Sequence, residues 1–171
     1  RAMIPGLKRE GPFCLEWLVY HCAIGWKDVL VYTNDCNDGT DSVLDRLQDK
    51  GFVQHRENPF KGTNLKPQHA ALQAGEKEEI IQNADWVISM DVDEFINVKV
   101  GDGTLPALFE AVGDANLISC TWRLLGTSDV HEYADEPLMA QFTRHAREMT
   151  RKPHQAWRGA TPARPTRPAP A

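Results

Sequence analysis

The alternation of short apolar segments with helical segments constrains the fold of this chain most strongly. The segments DVLVYT, residues 28–33, and WVISM, residues 86–90, are rich in β-branched and aromatic side chains, which favours buried strands. Helical patterns lie before and between these strands, at residues 12–24, 40–50 and 67–83. Strands that alternate with helices predict an α/β fold with a mostly parallel sheet and helices on both faces.

Other local patterns complete this expectation. FVQH, residues 52–55, is predicted to be a short strand, and NLISCTWRLLG, residues 116–126, to be another. Thr40 is placed to cap the predicted helix 40–50, and Thr104 is placed to cap a helix that ends near residue 112. Since the apolar side chains of helix 12–24 lie on nearly all sides, we expect its Trp17, Tyr20 and His21 to pack in the core.

Composition excludes several classes of protein. A chain of 171 residues with 42% apolar residues is long enough for one domain with a substantial core. The net charge of −5 supplies no basic field for nucleic acid, and no apolar run approaches the length of a transmembrane segment. The four cysteines are too scattered for a zinc site, so reduced thiols and a cytoplasmic location, or a peripheral one at the inner face of the membrane, are expected.

The composition changes near residue 150. Residues 151–171 contain no acidic side chain and five of the eleven prolines, counted along the sequence. Such a segment lacks the apolar surface needed to order itself. We therefore expect a folded domain over 1–150 and a disordered Arg/Pro/Ala-rich tail over 151–171.

Three carboxylates follow the predicted strand WVISM, in the sequence DVDEF. In an open parallel sheet, ligands bind beyond the carboxyl ends of the strands, and this is where Asp91 and Asp93 are expected. Side chains two residues apart in extended backbone point the same way, so both could face one ligand. Because adjacent carboxylates repel each other, a hard cation such as Mg²⁺ or Mn²⁺ shared with substrate phosphates is the expected partner.

Two other interpretations of this motif stay open at the level of sequence. The acids could belong to a solvated turn that only caps the next element. They could also form the nucleophile motif of a haloacid-dehalogenase-type phosphatase, although Phe95 stands where that motif wants Thr or Val.

Several segments together resemble a known family. They are KREGPFCLEWLVYHCAIGWKDVLVYTNDCNDGTDSVLDRL, PQHAALQAG and ADWVISMDVDEFI, in this order. This combination resembles bacterial glycosyltransferases of the family 2 type, over about residues 8–142. The resemblance implies a Rossmann-like GT-A fold and an inverting, hexosyltransferase-like reaction from a nucleotide-diphospho-sugar, of the UDP- or GDP-sugar class, to an unknown glycan, lipid or protein acceptor.

The resemblance also implies roles for individual residues. Asp91 would lie near the ribose or the metal, and Asp93 would ligate Mn²⁺ or Mg²⁺ that bridges the diphosphate. The remaining implied donor-binding residues are Glu10, Asn34, Asp35, Lys66 and Gln68. Thr33 stands where many relatives have the Asp that recognises the base, whereas Asp38 and Thr40 are interpreted as turn and helix-start residues.

Two departures from the family pattern lead us to expect truncation at both ends. The first strand is represented only by RAMIPGL, which Pro5 interrupts, so the nucleotide pocket is expected to lack an edge or to contain a stub. The base that deprotonates the acceptor is not identified, and Asp135, Glu136 and His131 are its candidates, with Asp129 nearby. A non-catalytic, donor-binding remnant of such an enzyme is therefore the alternative function.

Overall fold

The structure is a computed structural model that describes residues 1–147 and 162–164. Its elements alternate between strands and helices along the chain, as the sequence predicts. In order they are β1 (Ala2–Met3), β2 (Gly6–Leu7), α1 (Gly11–Ile24), β3 (Asp28–Thr33), α2 (Thr40–Asp49), β4 (Gln54–Glu57), α3 (Pro67–Gly75), α4 (Glu79–Gln82), β5 (Val87–Ile88), α5 (Leu105–Val112) and α6 (Leu138–Gln141).

The five strands form one sheet in which every strand pair is parallel. Strands β1 and β2 both pair with β3, in the same register, so they are two halves of one strand that is interrupted at Pro5. β1 also pairs with β5, and β4 pairs with the other side of β3. The interrupted strand therefore lies inside the sheet as two short pieces, so of the two expectations for this region the stub is found and the missing edge is not.

Helices cover both faces of the sheet, because side chains alternate along β3. Val29 and Val31 point into a larger core cluster, which also contains Trp17 of α1 and Leu44 of α2. Leu30 and Tyr32 point to the other face, where the second cluster includes residues of α3 and α4. The predicted α/β class, with a mostly parallel Rossmann-like sheet and helices on both faces, is confirmed.

The predicted helices are found with two differences. The helix expected over 67–83 is divided into α3 and α4, because α3 ends at Gly75, a poor residue for a helix interior, and Glu78 is extended. The predicted cap at Thr104 is confirmed, since its hydroxyl accepts from the Ala107 N–H at 3.5 Å. Thr40 does not cap α2, because its hydroxyl is bonded to Asp38 and to the Gly11 N–H instead.

The strand predicted over residues 116–126 is wrong. That stretch forms only isolated bridges, from Leu117 to Ala163 and from Leu125 to His145. A strand needs a neighbour to pair with along its length, and most of this stretch has none among the described residues. Its apolar pattern therefore does not produce a ladder.

Residues 162–164 differ from the expectation of a disordered tail. Ala163 exchanges two backbone hydrogen bonds of 2.8 Å with Val87 of β5, and the Arg164 guanidinium lies 5.1 Å from the centre of the Trp86 ring. These three residues add an antiparallel partner to the sheet edge beyond β5. The expectation for the rest of 151–171 lies outside the described residues.

All four cysteines are free thiols, as predicted. Among the described residues, no helix is both long enough and apolar enough to cross a bilayer.

Leu30 tests the packing of the second core cluster, because this β3 side chain is fully buried. Leu30→Ala should lower the free energy of unfolding in urea by about 2–5 kcal/mol, since it leaves a cavity that the sheet cannot close. Leu15→Ala is the control, because Leu15 on the outer side of α1 is 49% exposed. Equal losses for the two variants would contradict the assigned core.

Candidate donor site at the carboxyl edge of the sheet

A cleft of about 380 Å³ opens where the strands end. The segments that follow β2, β3, β4 and β5 all contribute to its walls. Its lining residues are Gly6, Lys8, Asn34, Asp35, Asn58, Phe60, Pro67, Gln68, Ser89 and Asp91. This is the edge at which open parallel sheets bind ligands, since loops from several strands converge there.

A second cleft, of about 420 Å³, lies near the opposite edge of the sheet, beside the first residues of β3 and β4. Its walls include Arg56, which forms an ion pair of 3.2 Å with Glu78. The two clefts have similar volumes, so volume does not indicate which of them binds a ligand. Position relative to the strand ends favours the first cleft as the ligand site.

Four carboxylates gather beside the first cleft. Asp91, Asp93 and Glu94 follow β5, and Glu10 occupies the N-cap position of α1. The Glu94 side chain folds back and accepts a hydrogen bond of 3.3 Å from the Asp91 N–H, while Glu10 accepts one of 3.1 Å from the Lys8 N–H. The sheet thus brings the two acidic segments together from positions about eighty residues apart in the sequence.

Burial, and to a smaller extent the charges of neighbouring acids, raises the pKa values of Glu10, Asp91 and Glu94. Burial, and then the charges of Asp91 and Asp93, raise the pKa of Glu10. Burial and the charge of Asp93 raise the pKa of Asp91, which nevertheless stays accessible to solvent. Burial is again the main cause of the raised pKa of Glu94, with smaller contributions from Asp91 and Asp93. A cation placed among these groups would relieve the repulsion.

The acids fit a cation that is shared with a ligand, not one held by protein alone. Within the described part of the chain, no three His, Cys, Asp or Glu side chains are arranged to enclose a metal ion. Mg²⁺ is commonly bound through only one or two carboxylates, with water and substrate phosphates as its other ligands. Asp91 and Asp93, both exposed at the strand end, match that kind of partial site.

The donor-binding residues expected from the family resemblance are brought to the same edge in most cases. Asn34, Asp35, Gln68 and Asp91 line the cleft. The Lys61 ammonium lies 3.2 Å from the Asp35 carboxylate and, through that hydrogen bond, lowers the pKa of Asp35. Asp35 is therefore charge-paired in this structure.

Lys66 is exposed at the N-cap position of α3 and does not line the cleft, whereas the next two residues, Pro67 and Gln68, do. The basic residue in the lining is instead Lys8, which follows β2 and whose charge also lowers the pKa of Asp35. Sequence reasoning missed Lys8 because the strand before it is interrupted by Pro5. The signal that could have identified it is its place directly after that strand, at the edge where ligands bind.

Asn58 is a second residue that the sequence interpretation missed. Although it lines the cleft, it is only 3% exposed. Its N–H donates to the Thr33 carbonyl at 2.8 Å and its Nδ2 donates to the Pro67 carbonyl at 3.0 Å. Asn58 therefore ties the ends of β3 and β4 to the start of α3, and the available signal was an Asn in the loop that closely follows the predicted strand 52–55.

Thr33 is occupied by contacts within the protein. Its hydroxyl lies 2.8 Å from His55 Nε2, and His55 Nδ1 lies 2.7 Å from the Asp45 carboxylate. The Thr33 side chain is thus a link between β3, β4 and α2.

The interpretation of Asp38 and Thr40 as turn chemistry is confirmed, since the Asp38 carboxylate accepts hydrogen bonds from both the N–H and the hydroxyl of Thr40.

The structure does not place the candidate bases in the cleft. His131, Asp135 and Glu136 are all exposed, in the irregular segment between α5 and α6, and Asp129 in the same segment pairs with Arg144. None of them lines the cleft or is among the charges that shift the pKa values of the acidic group. The identity of the base stays a prediction.

Comparison with known proteins decides the family. The sequence profile of glycosyltransferase family 92 matches residues 13–158. The chain belongs to glycosyltransferase family 92. This match confirms that the chain belongs to a glycosyltransferase family, although the matched family is family 92 and not the family 2 type that the motifs suggest. The match also continues past residue 150, into the segment that the composition sets apart as a tail.

Curated relatives agree with this family. The chain is 33% identical over 97 residues to a glycosyltransferase family 92 protein of Ricinus communis, covering 56% of the chain and 16% of that protein. It is 29% identical over 101 residues to one of Oryza sativa subsp. japonica, covering 58% of the chain and 16% of that protein. The matched part thus spans about one sixth of the length of these plant relatives.

Solved structures of S. aureus TarS are also similar. The complex with UDP has a TM-score of 0.49 and 18% identity, and covers 83% of this chain and 42% of that one. The complex with UDP-GlcNAc has a TM-score of 0.42 and 18% identity, and covers 65% of this chain and 29% of that one. At these scores the assignment of the fold rests on the sheet of the chain itself.

The burial of Asp91, together with the nearby charge of Asp93, leads to a prediction about stability. Because the pKa of Asp91 in the folded chain lies above its ordinary value of 3.8, ionised Asp91 destabilises the fold at neutral pH, and protonation removes that penalty as the pH falls. Asp91→Asn should therefore raise the Tm at pH 7 by a few degrees, and the gain should shrink as the pH falls toward 4.

Thermal unfolding followed by circular dichroism between pH 4 and pH 8 measures this effect. Asp114→Asn is the control, since Asp114 is an exposed acid just after α5. An Asp91→Asn variant that is less stable than the parent at pH 7 would contradict the destabilisation assigned to ionised Asp91.

Proposed function

We propose that this chain carries the donor-binding part of a family 92 glycosyltransferase that uses a nucleotide-diphospho-sugar, of the UDP- or GDP-sugar class, together with Mn²⁺ or Mg²⁺. The observation that carries the proposal is the group of mutually repelling carboxylates at the carboxyl edge of a parallel sheet, beside a cleft of suitable position. One of the solved TarS structures is a complex with UDP-GlcNAc, which belongs to the same class of donor.

Asp91 and Asp93 would hold the ion together with the donor diphosphate. When bound, the ion would neutralise the charge that the diphosphate gains as the sugar–phosphate bond breaks. Glu10 and Glu94 add negative charge beside these two residues and would attract the ion without binding it directly. Lys8, which lines the cleft, would supply a positive group for a phosphate oxygen.

The proposal also includes transfer of the sugar to a glycan, lipid or protein acceptor, with the help of a catalytic base. Inverting transfer requires a base that takes the proton of the acceptor hydroxyl, and we keep Asp135, Glu136 and His131 as its candidates. Because the chain spans only part of its relatives, the alternative is that it binds the donor without completing the reaction. The family assignment favours either of these functions over a haloacid-dehalogenase-type phosphatase. A cytoplasmic location and a bacterial source stay predictions.

Asp93→Asn tests the metal site. Calorimetry with UDP should show binding that depends on Mn²⁺ in the parent chain, and the variant should lose at least about 10-fold in affinity because one ligand charge is gone. Asp114→Asn is the matched control, as an exposed Asp outside the acidic group. Repeating the titrations with GDP distinguishes the two donor classes.

Unchanged binding by Asp93→Asn would reject the metal site. Binding of UDP and GDP by the parent that does not depend on Mn²⁺ or Mg²⁺ would reject the role of the ion but not the cleft. No binding of either nucleotide under any of these conditions would reject the donor-binding proposal as a whole.

Lys8→Gln tests the phosphate contact. Loss of a charge-assisted hydrogen bond should weaken binding of UDP by about 10-fold and leave binding of uridine, which has no phosphate, unchanged. Lys66→Gln is the comparison, because the family resemblance assigns this role to Lys66 whereas the cleft contains Lys8. A larger loss in Lys66→Gln than in Lys8→Gln would contradict the assignment to Lys8.

A further inference from the structure

The segment that follows the acids lacks regular secondary structure, so its backbone depends on side chains for hydrogen bonds. Residues 94–96 belong to no helix or strand. The Trp17 indole N–H donates to the Glu94 carbonyl at 2.9 Å, and the Tyr20 hydroxyl donates to the Ile96 carbonyl at 2.8 Å. Both donors lie on α1, more than seventy residues away in the sequence.

His21 supplies the third contact. The Ile96 N–H donates to His21 Nε2 at 3.3 Å, so this nitrogen is the acceptor and the ring proton is on Nδ1. Nδ1 in turn donates to the Trp17 carbonyl at 2.8 Å. The side chain is fully buried, and burial lowers the pKa of His21 to about 4, so the ring is neutral at pH 7 and both bonds persist.

Ring packing fixes the same segment from the side. The Phe95 ring is stacked on His21 at 5.9 Å between ring centres, and meets the Tyr20 ring edge-on at 5.3 Å. Trp17 and His21 pack against each other at 4.6 Å. The α1 side chains therefore do more than fill the core as the sequence predicts, because their polar atoms also satisfy the backbone of 94–96.

These contacts lead directly to the acidic group. Glu94, whose carbonyl Trp17 holds, uses its carboxylate to accept the Asp91 N–H. The same helix α1 carries Glu10 at its N-cap. One rigid helix thus determines where Glu10 lies and where the turn 91–94 lies relative to it.

We propose that Trp17, Tyr20 and His21 are positioning residues, which we call the α1 clamp, that hold the turn 91–94 in the conformation needed for metal-dependent binding of the nucleotide. The proposal rests on the proposed function. Asp91 and Asp93 repel each other, and a turn without this support would relax by separating them. The clamp keeps the two carboxylates in place before a cation arrives.

Two variants test the clamp, each with a matched control. Tyr20→Phe removes only a hydroxyl, and Tyr32→Phe does the same in the second core cluster, which contains none of the three clamp residues. Trp17→Phe removes the indole N–H, and Trp26→Phe makes the same change at a buried Trp whose N–H has no partner among the described residues. The controls therefore reproduce the loss of volume without the loss of a clamp contact.

The experiment has two readouts. Hydrogen exchange of the chain without ligand should be faster across residues 91–98 in Tyr20→Phe and Trp17→Phe than in their controls. Calorimetry with UDP and Mn²⁺ should show a loss of about 10-fold in affinity in the same two variants, as is typical when supporting contacts of a metal site are removed. Binding of UDP without the ion should not change.

The outcomes separate the two proposals. Exchange and Mn²⁺-dependent affinity that match the controls would overturn the clamp and leave the proposed function intact. Faster exchange with unchanged affinity would also overturn it, because the contacts would then serve only the fold. A parent chain that binds no nucleotide would overturn the proposed function, and the clamp with it.

Discussion

The parallel pairing of the central, interrupted strand is the interaction on which the site depends. Residues 2–7 take β3 on one side and, through β1, β5 on the other, so the ends of all three strands meet at one edge. Lys8 and Glu10, Asn34 and Asp35, and the DVDEF turn follow those ends. This pairing is what brings the segment that contains Glu10 close to the DVDEF turn. Pro5 has no N–H to donate, but its carbonyl accepts a hydrogen bond of 3.1 Å from the Tyr32 N–H, and β1 and β2 keep the same register on either side of it.

The edge of the sheet concentrates charge that the fold itself does not need. Burial and mutual repulsion raise the pKa values of Glu10, Asp91 and Glu94, which means that the ionised acids weaken the folded chain at neutral pH. Side chains that lower stability in this way are common at binding sites, where a ligand supplies the missing opposite charge. Helix α1 opposes the repulsion, because its aromatic side chains hold the backbone that follows the acids.

Much of the fold follows from local pattern. Helix α1 begins within one residue of its predicted start and ends before Gly25, which adopts a φ of 116° that suits glycine. β3 matches its predicted limits because its continuous apolar run is buried on both faces. The predicted strand over 116–126 fails for the opposite reason, since pairing depends on a neighbour that no local pattern reveals. Residues 162–164 show the opposite case. Composition assigned them to a disordered tail, but Ala163 pairs with the outer edge of β5, a neighbour that no local pattern reveals either.

The sequence by itself determined the class of fold, the presence of acids after a buried strand, and the resemblance to glycosyltransferases. Those properties depend on neighbouring residues and on motif order. Only the tertiary structure decided that Lys8 and Asn58 line the cleft, that Lys66 lies outside its lining, and that α1 supports the segment after the acids. Such facts depend on contacts between residues far apart in the chain, and the packing of strands and helices sets these contacts.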